Sequence, residues 1–258
     1  MHATNQTGLF SDLTSSTIQN LVLDLNVTFD NTYNAGRLGM LASIASHSKI
    51  INCVNHSDVS GYFYDMAGLV GYVYNTQIIA CGNTGNLASL ADNHRMGGIA
   101  AEASGEDTCI EGCYNTGLFD VHTMSWEGLE VGGIVGRLDA YNGAVQNCWS
   151  NATLSIENVS YDDHIITAPH NIFFGGIVGY QNTGSISHCY WNEAVEFAAG
   201  QANGTVTGGG TFAGTIPDAN QITKMNEGLL TSGWKFYEDG TVSKQTGVIA
   251  PSMPKEEW

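Results

Sequence analysis

Carboxylates and imidazoles gather in two stretches of this chain of 258 residues. Asp120, His122 and Glu127 lie in the first, and Asp162, Asp163, His164 and His170 in the second. Paired carboxylates can act as acid and base on a polysaccharide, or hold Ca²⁺. The same stretches carry Trp126 and Tyr161, and Phe173–Phe174 closes the second; these side chains suit stacking on sugars or anchoring a protein partner. The candidate binding residues are therefore Trp126, Glu127, Tyr161, Asp162, Asp163, His164 and His170. Catalysis is less well supported. Adjacent Asp162 and Asp163 in a strand would face opposite sides. Only Arg95 and Arg137 lie in the middle of the chain to meet an acidic polymer. Gly-x-Ser-x-Gly, P-loop and H-E-x-x-H motifs are absent from the sequence. No catalytic residue and no resident metal or cofactor is assigned, Ca²⁺ being the one ion these carboxylates could hold.

The elements that position these stretches are set by a repeat. Cys53, Cys81, Cys113, Cys148 and Cys189 recur, each preceded by a Gly, two mostly bulky apolar residues and a small one. The copies read Gly39-Met40-Leu41-Ala42, Gly68-Leu69-Val70-Gly71, Gly98-Ile99-Ala100-Ala101, Gly133-Ile134-Val135-Gly136 and Gly176-Ile177-Val178-Gly179, after a first copy Gly8-Leu9-Phe10-Ser11 with Leu21 in place of Cys. The step from Gly to Cys stays between 13 (68 to 81) and 15 (98 to 113). The return step grows from 15 (53 to 68) to 28 (148 to 176). Insertions thus accumulate in one arm, at Leu118–Glu130 and Ala152–Phe173, and should project from one edge of a solenoid.

A coil of about 30 residues built of short strands predicts a right-handed parallel β-helix, all-β, of about six coils. The cysteines then form one inward ladder of free thiols rather than disulfides, with Cys109 outside it. Gly68, Gly71, Gly133, Gly136, Gly176 and Gly179 mark tight turns or crowded core. Asn-Thr-Gly at 83–85, 115–117 and 182–184 predicts turns with left-handed glycines, and Asn55, Asn83 and Asn115 a turn ladder outside the core. Residues 1–199 read as the solenoid and 200–258 as a C-terminal cap packed on it. Within the cap, Asp218 to Leu230 predicts a short amphipathic helix with Asp218 as N-cap. Trp234–Tyr237 and Val248–Met253 would complete the plug.

Charge narrows the partners. Asp and Glu number 25 against 8 Lys and Arg, a formal net charge of −17. Nucleic acid and anionic membrane are disfavoured, since phosphates need cations. No run is long enough for a membrane span.

The motif Gly68-Leu69-Val70-Gly71, and the fuller Gly132–Gly136 with Cys113-Tyr114-Asn115, resemble the GLUG repeat family over about residues 8–195. That resemblance implies an extracellular, cell-surface or secreted bacterial β-solenoid, adhesin-like, such as also forms non-catalytic parts of some immunoglobulin-cleaving proteases. The family motif is structural and brings no catalytic residue. The expectation is an adhesion or interaction module for host or surface glycans or proteins, a monomer or part of a longer chain. A polysaccharide lyase or hydrolase using the 152–173 carboxylates, and a passive stalk, are the alternatives.

Overall fold

Three to five residues with alternating apolar side chains make one short strand, and the partner that satisfies its backbone is the same stretch one coil on. The computed structural model describes residues 6–25, 27–29, 36–124, 128–156, 160–161, 164–165, 172–230 and 232–245. One coil shows the plan. Asp65–Ala67 lies on a first face and Val70–Tyr74 on a second. Gln77–Ile79 and Gly82–Asn83 flank the cysteine on a third, and Leu87–Asn93 forms a fourth. Each strand pairs in parallel with its counterparts in the coils before and after. The register stacks Leu38, Met66 and Met96, and likewise Ile50, Ile78 and Ile110, all fully buried. A parallel β-helix follows. The coil count differs slightly from six. Among the described residues five coils carry every strand, and two partial coils follow, ending with Ala199–Ala202 and Thr205–Phe212.

Stacking corrects one alignment. Val70 pairs with Ala42, so Met40, not Gly39, occupies the position of Gly68, and Ser43 that of Gly71. Gly39 belongs with Ala67, Gly97, Gly132 and Gly175, at the end of the first face. The motif glycines face an inward column two residues after the cysteines. A Cβ at Gly68 would run into the Asn83 side chain, at Gly98 into Asn115, at Gly133 into Ser150 and at Gly176 into Trp191. At the small position, Gly136 and Gly179 are hemmed by backbone of neighbouring coils.

The five ladder cysteines are free and buried, and Cys109 is half-buried on the outer side. The Cys53 amide donates to Cys81 Sγ, Cys81 to Cys113 and Cys113 to Cys148, each at 3.4 Å. Burial pushes the thiols of Cys113, Cys148 and Cys189 well above the ordinary range. The asparagines two residues on also form a ladder, but inside the core. Asn55 Nδ2 donates to Asn83 Oδ1 and Asn83 Nδ2 to Asn115 Oδ1, both at 2.8 Å, with all three side chains buried. They turn inward because each also bonds the carbonyl two residues ahead, at Ser57, Gly85 and Gly117, closing the bend. The left-handed residue is not the glycine of Asn-Thr-Gly in the first two turns; only Gly184 of the third has a positive φ. Gly85 and Gly117 are glycine because a Cβ would strike the carbonyls of Ser57 and Gly85. The left-handed corner instead precedes each cysteine position, at Asn20, Asn52, Ala80, Gly112, Asn147 and His188.

The C-terminal cap contains helix α1, Ala219–Leu229. Asp218 accepts from the amides of Asn220 and Gln221, and Gln221 reaches back to the Asp218 amide, a capping box. The cap lies along the flank of the coils. Ile222, Met225 and Leu229 pack with Tyr114, Trp149 and Tyr190, the aromatic residues that follow the ladder cysteines. Trp149 Nε1 donates to the Gly240 carbonyl at 3.0 Å, pinning the hairpin Trp234–Phe236 and Val242–Lys244. Val248–Met253 lies outside the described residues.

Candidate functional site: a charged groove beside the insertion edge

The variable arm is built rather than loose. On the fourth face the strands lengthen from Val59–Gly61 to Leu87–Asn93 and Phe119–Met124. The last two stay paired past an irregularity, with Asp92 opposite Thr123 and Asn93 opposite Met124. The longest insertion contains an antiparallel pair, Ser160–Tyr161 with His164–Ile165, placing Tyr161 opposite His164. The insertions are narrower than the sequence suggests. Phe119, Val121, Leu129 and Ala152 are core residues, because strands continue on both sides of each insertion. Asp120 is half-buried and faces outward between Phe119 and Val121. Trp126, Glu127, Asp162, Asp163 and His170 lie outside the described residues, as do the side chains of His122, Tyr161 and His164. Phe174 packs against the core, and Phe173 meets Tyr180 edge-on at 5.4 Å.

Beside this edge the outer side chains of the first and second faces meet across the glycine corner. Arg37, Asp65, Arg95, Glu130 and Phe173 stack on the first face. Ile44, Tyr72, Glu102, Arg137 and Tyr180 stack on the second. Contact between outward-facing columns requires the surface to fold inward there, which is why a Cβ at Gly97 or Gly132 would strike backbone. Arg95 bridges Glu102 at 3.0 Å, Glu130 at 3.3 Å and Asp65 at 3.5 Å. Arg37 Nε holds Asp65 at 3.0 Å and Arg137 holds Glu130 at 2.9 Å. At the two ends Arg37 lies 4.7 Å over the Tyr72 ring and Arg137 4.9 Å over Tyr180. All three arginines of the sequence are in this groove.

The groove is unusually dry for charged groups. The Asp65 side chain is only 2% exposed, and Arg95, Glu102 and Glu130 stay below 20%. Burial pushes the carboxyls of Asp65 and Glu130 above their usual range, against the pull of Arg37, Arg95 and Arg137. Each of these carboxylates is nonetheless fixed by an arginine, so the arrangement suits recognition and stiffness better than proton transfer. Among the described residues no group of three or more His, Cys, Asp or Glu could hold a metal ion, and no helix is long and apolar enough to cross a membrane.

The carboxylates and tyrosines of this groove stand in no motif of the sequence. A signal existed: Arg37, Asp65, Arg95 and Glu130 all stand three residues before the aligned motif position, and Tyr72, Glu102 and Arg137 four after it.

No family model matches the chain, and no curated protein matches it. A solved structure from Bacteroides ovatus, described as a "putative immunoglobulin A1 protease", is similar in fold, with a TM-score of 0.57 at 19% identity over 92% of this chain and 75% of that one. At that identity the likeness concerns the fold alone: the class defined is the parallel β-solenoid.

Proposed function

We propose that this chain is a non-catalytic interaction module of an extracellular bacterial protein, displayed at the cell surface or secreted and related to the GLUG-repeat proteins. It engages a glycan or protein along the insertion edge and the adjoining groove. The observation that carries this reading is strand pairing within the variable arm: Leu87–Asn93 and Phe119–Met124 stay paired past their irregularity and the longest insertion forms its own antiparallel pair, so the arm presents a built surface. A passive spacer has no need of such a surface. The groove contributes half-exposed arginine–tyrosine stacks at its ends, features common at recognition surfaces.

The test is binding of the whole chain to glycan and matrix-protein arrays, beside a variant in which residues 157–171 are replaced by a short turn. The expected result is a signal for the wild type that falls about tenfold or more in the variant while the melting temperature holds, the loss of one or two anchoring contacts. Blank wild-type arrays, or equal binding by both proteins, remove the reading.

A second reading, a polysaccharide-active β-helix, uses the carboxylates of the 152–173 insertion and requires depolymerisation of uronate polymers that is lost in Asp162→Ala or Asp163→Ala.

A further inference from the structure

The left-handed corner that precedes each cysteine position forms an outer column, and α1 runs along it. At Gly112 the fit is close: a Cβ there would sit 3.2 Å from Leu229 Cδ2. One coil on, Gly228 abuts Asn147 so closely that a Cβ would strike its side-chain amide. At the coil of His188 the helix still packs on Tyr190, but a space stays open beside it. The space left is a cleft of about 460 Å³ lined by His188, Tyr190, Gly208, Gly209, Lys224, Glu227 and Gly228. Its size falls within the range of small-ligand sites, about 300–1,000 Å³.

Packing does not explain this opening. The buried stripe of α1 is Ile222, Met225 and Leu229, and Lys224 and Glu227 lie outside it, exposed at the cleft. Those two stand three apart on the helix, where opposite charges commonly pair, yet among the described residues neither forms an ion pair. The opposite wall is bare backbone. Gly208 and Gly209 both have positive φ, and a Cβ at Gly208 would crowd the His188 ring at 2.9 Å. Behind Gly228, the buried Asn147 Oδ1 accepts no hydrogen bond.

We infer that this cleft is a binding site for a neutral saccharide unit. Its groups fit that class. One ammonium and one carboxylate face the cavity and cancel, so an anion would meet Glu227 and a cation Lys224. Hydroxyl groups satisfy both, donating to Glu227 and accepting from Lys224. Tyr190 adds a phenol kept protonated by burial and by the nearby carboxylates of Asp218 and Glu227, and so able to donate. The bare glycine wall lets a ring approach the backbone. This site is separate from the insertion edge and does not rest on the reading given for it.

The experiment is saturation-transfer and chemical-shift NMR on the whole chain with galactose, mannose, N-acetylglucosamine and N-acetylgalactosamine. Glycine serves as the zwitterionic probe and glucuronate as the anionic one. Expected is binding of at least one neutral sugar with shifts at His188 and Lys224. It should weaken about tenfold in each of Lys224→Ala and Glu227→Ala, the loss of one charge-assisted hydrogen bond. Both positions are exposed, so folding is retained. Binding should persist in the variant lacking 157–171, which separates this site from the edge. Four silent sugars, affinity unchanged in both alanine variants, or tighter binding of glycine or glucuronate would overturn the inference.

Discussion

At the corner after the first three ladder cysteines, Asn55, Asn83 and Asn115 stack like on like. On the outer side of the first face, Arg37, Asp65, Arg95 and Glu130 stack with alternating sign. Both columns obey the same geometry, one side chain per coil about 4.8 Å apart. The difference lies in what each side chain offers its neighbour. A carboxamide donates on one side and accepts on the other, so a run of identical amides satisfies itself. An ion offers only one sign, and identical ions at that spacing repel. A solenoid therefore rewards identity where the stacked group is both donor and acceptor, and alternation where it is charged.

Breaking the rule in the inner column should cost most. Asn83→Asp removes the donor to Gly85 and Asn115 and places a charge in a site with no cation. We expect a loss of about 3–5 kcal/mol, the cost of an uncompensated buried charge, read as a drop in the denaturation midpoint with unchanged slope. A change below about 1 kcal/mol would mean the ladder relaxes freely and identity is not required. The outer column should give less for a comparable insult. Arg95→Met deletes the cation shared by Asp65, Glu102 and Glu130 but leaves each of the three an arginine neighbour, Arg37 or Arg137. With part of the groove open to water, about 2 kcal/mol is expected in the same measurement. A loss larger than that of Asn83→Asp would reverse the comparison.

The same contrast explains what could be read from the chain. Cys81, Cys113 and their equivalents repeat as one letter and announce the fold at once. The motif glycines do so too, although only stacking reveals that Gly68 yields space to Asn83 and Gly98 to Asn115. The charged columns hold no repeated letter. Arg37, Asp65, Arg95 and Glu130 look unrelated until the coils are in register, and aligning Gly39 in place of Met40 shifts Arg37 out of its column. The side of the core on which Asn83 falls was also hidden, because an asparagine suits a solvent turn and a buried ladder equally. The lateral seat of α1 depends on Tyr114, Trp149 and Tyr190, and nothing in their spacing from the cysteines tells a docking row from an exposed one. The Trp126 and Asp162 stretches show their composition but no periodic pattern that would place their side chains.

The smallest effect concerns how dry the outer column is. Asp65 and Glu130 have carboxyls raised in the folded chain chiefly by burial, despite their arginines. A raised carboxyl binds its proton more tightly folded than unfolded. Its contribution to stability is thus complete below the ordinary carboxylate range and is lost as pH rises through the raised value. Between mild acid and neutrality these groups should therefore make stability fall with rising pH. Asp65→Asn should flatten that slope, and Arg95→Met should steepen it by removing a cation that opposes the shift. Urea denaturation of the three proteins across that range measures all three slopes. A wild-type slope of the opposite sign, abolished by Asp65→Asn, would show that attraction to Arg37 and Arg95 outweighs desolvation. The outer column would then match the inner one as a source of stability, through pairing rather than identity.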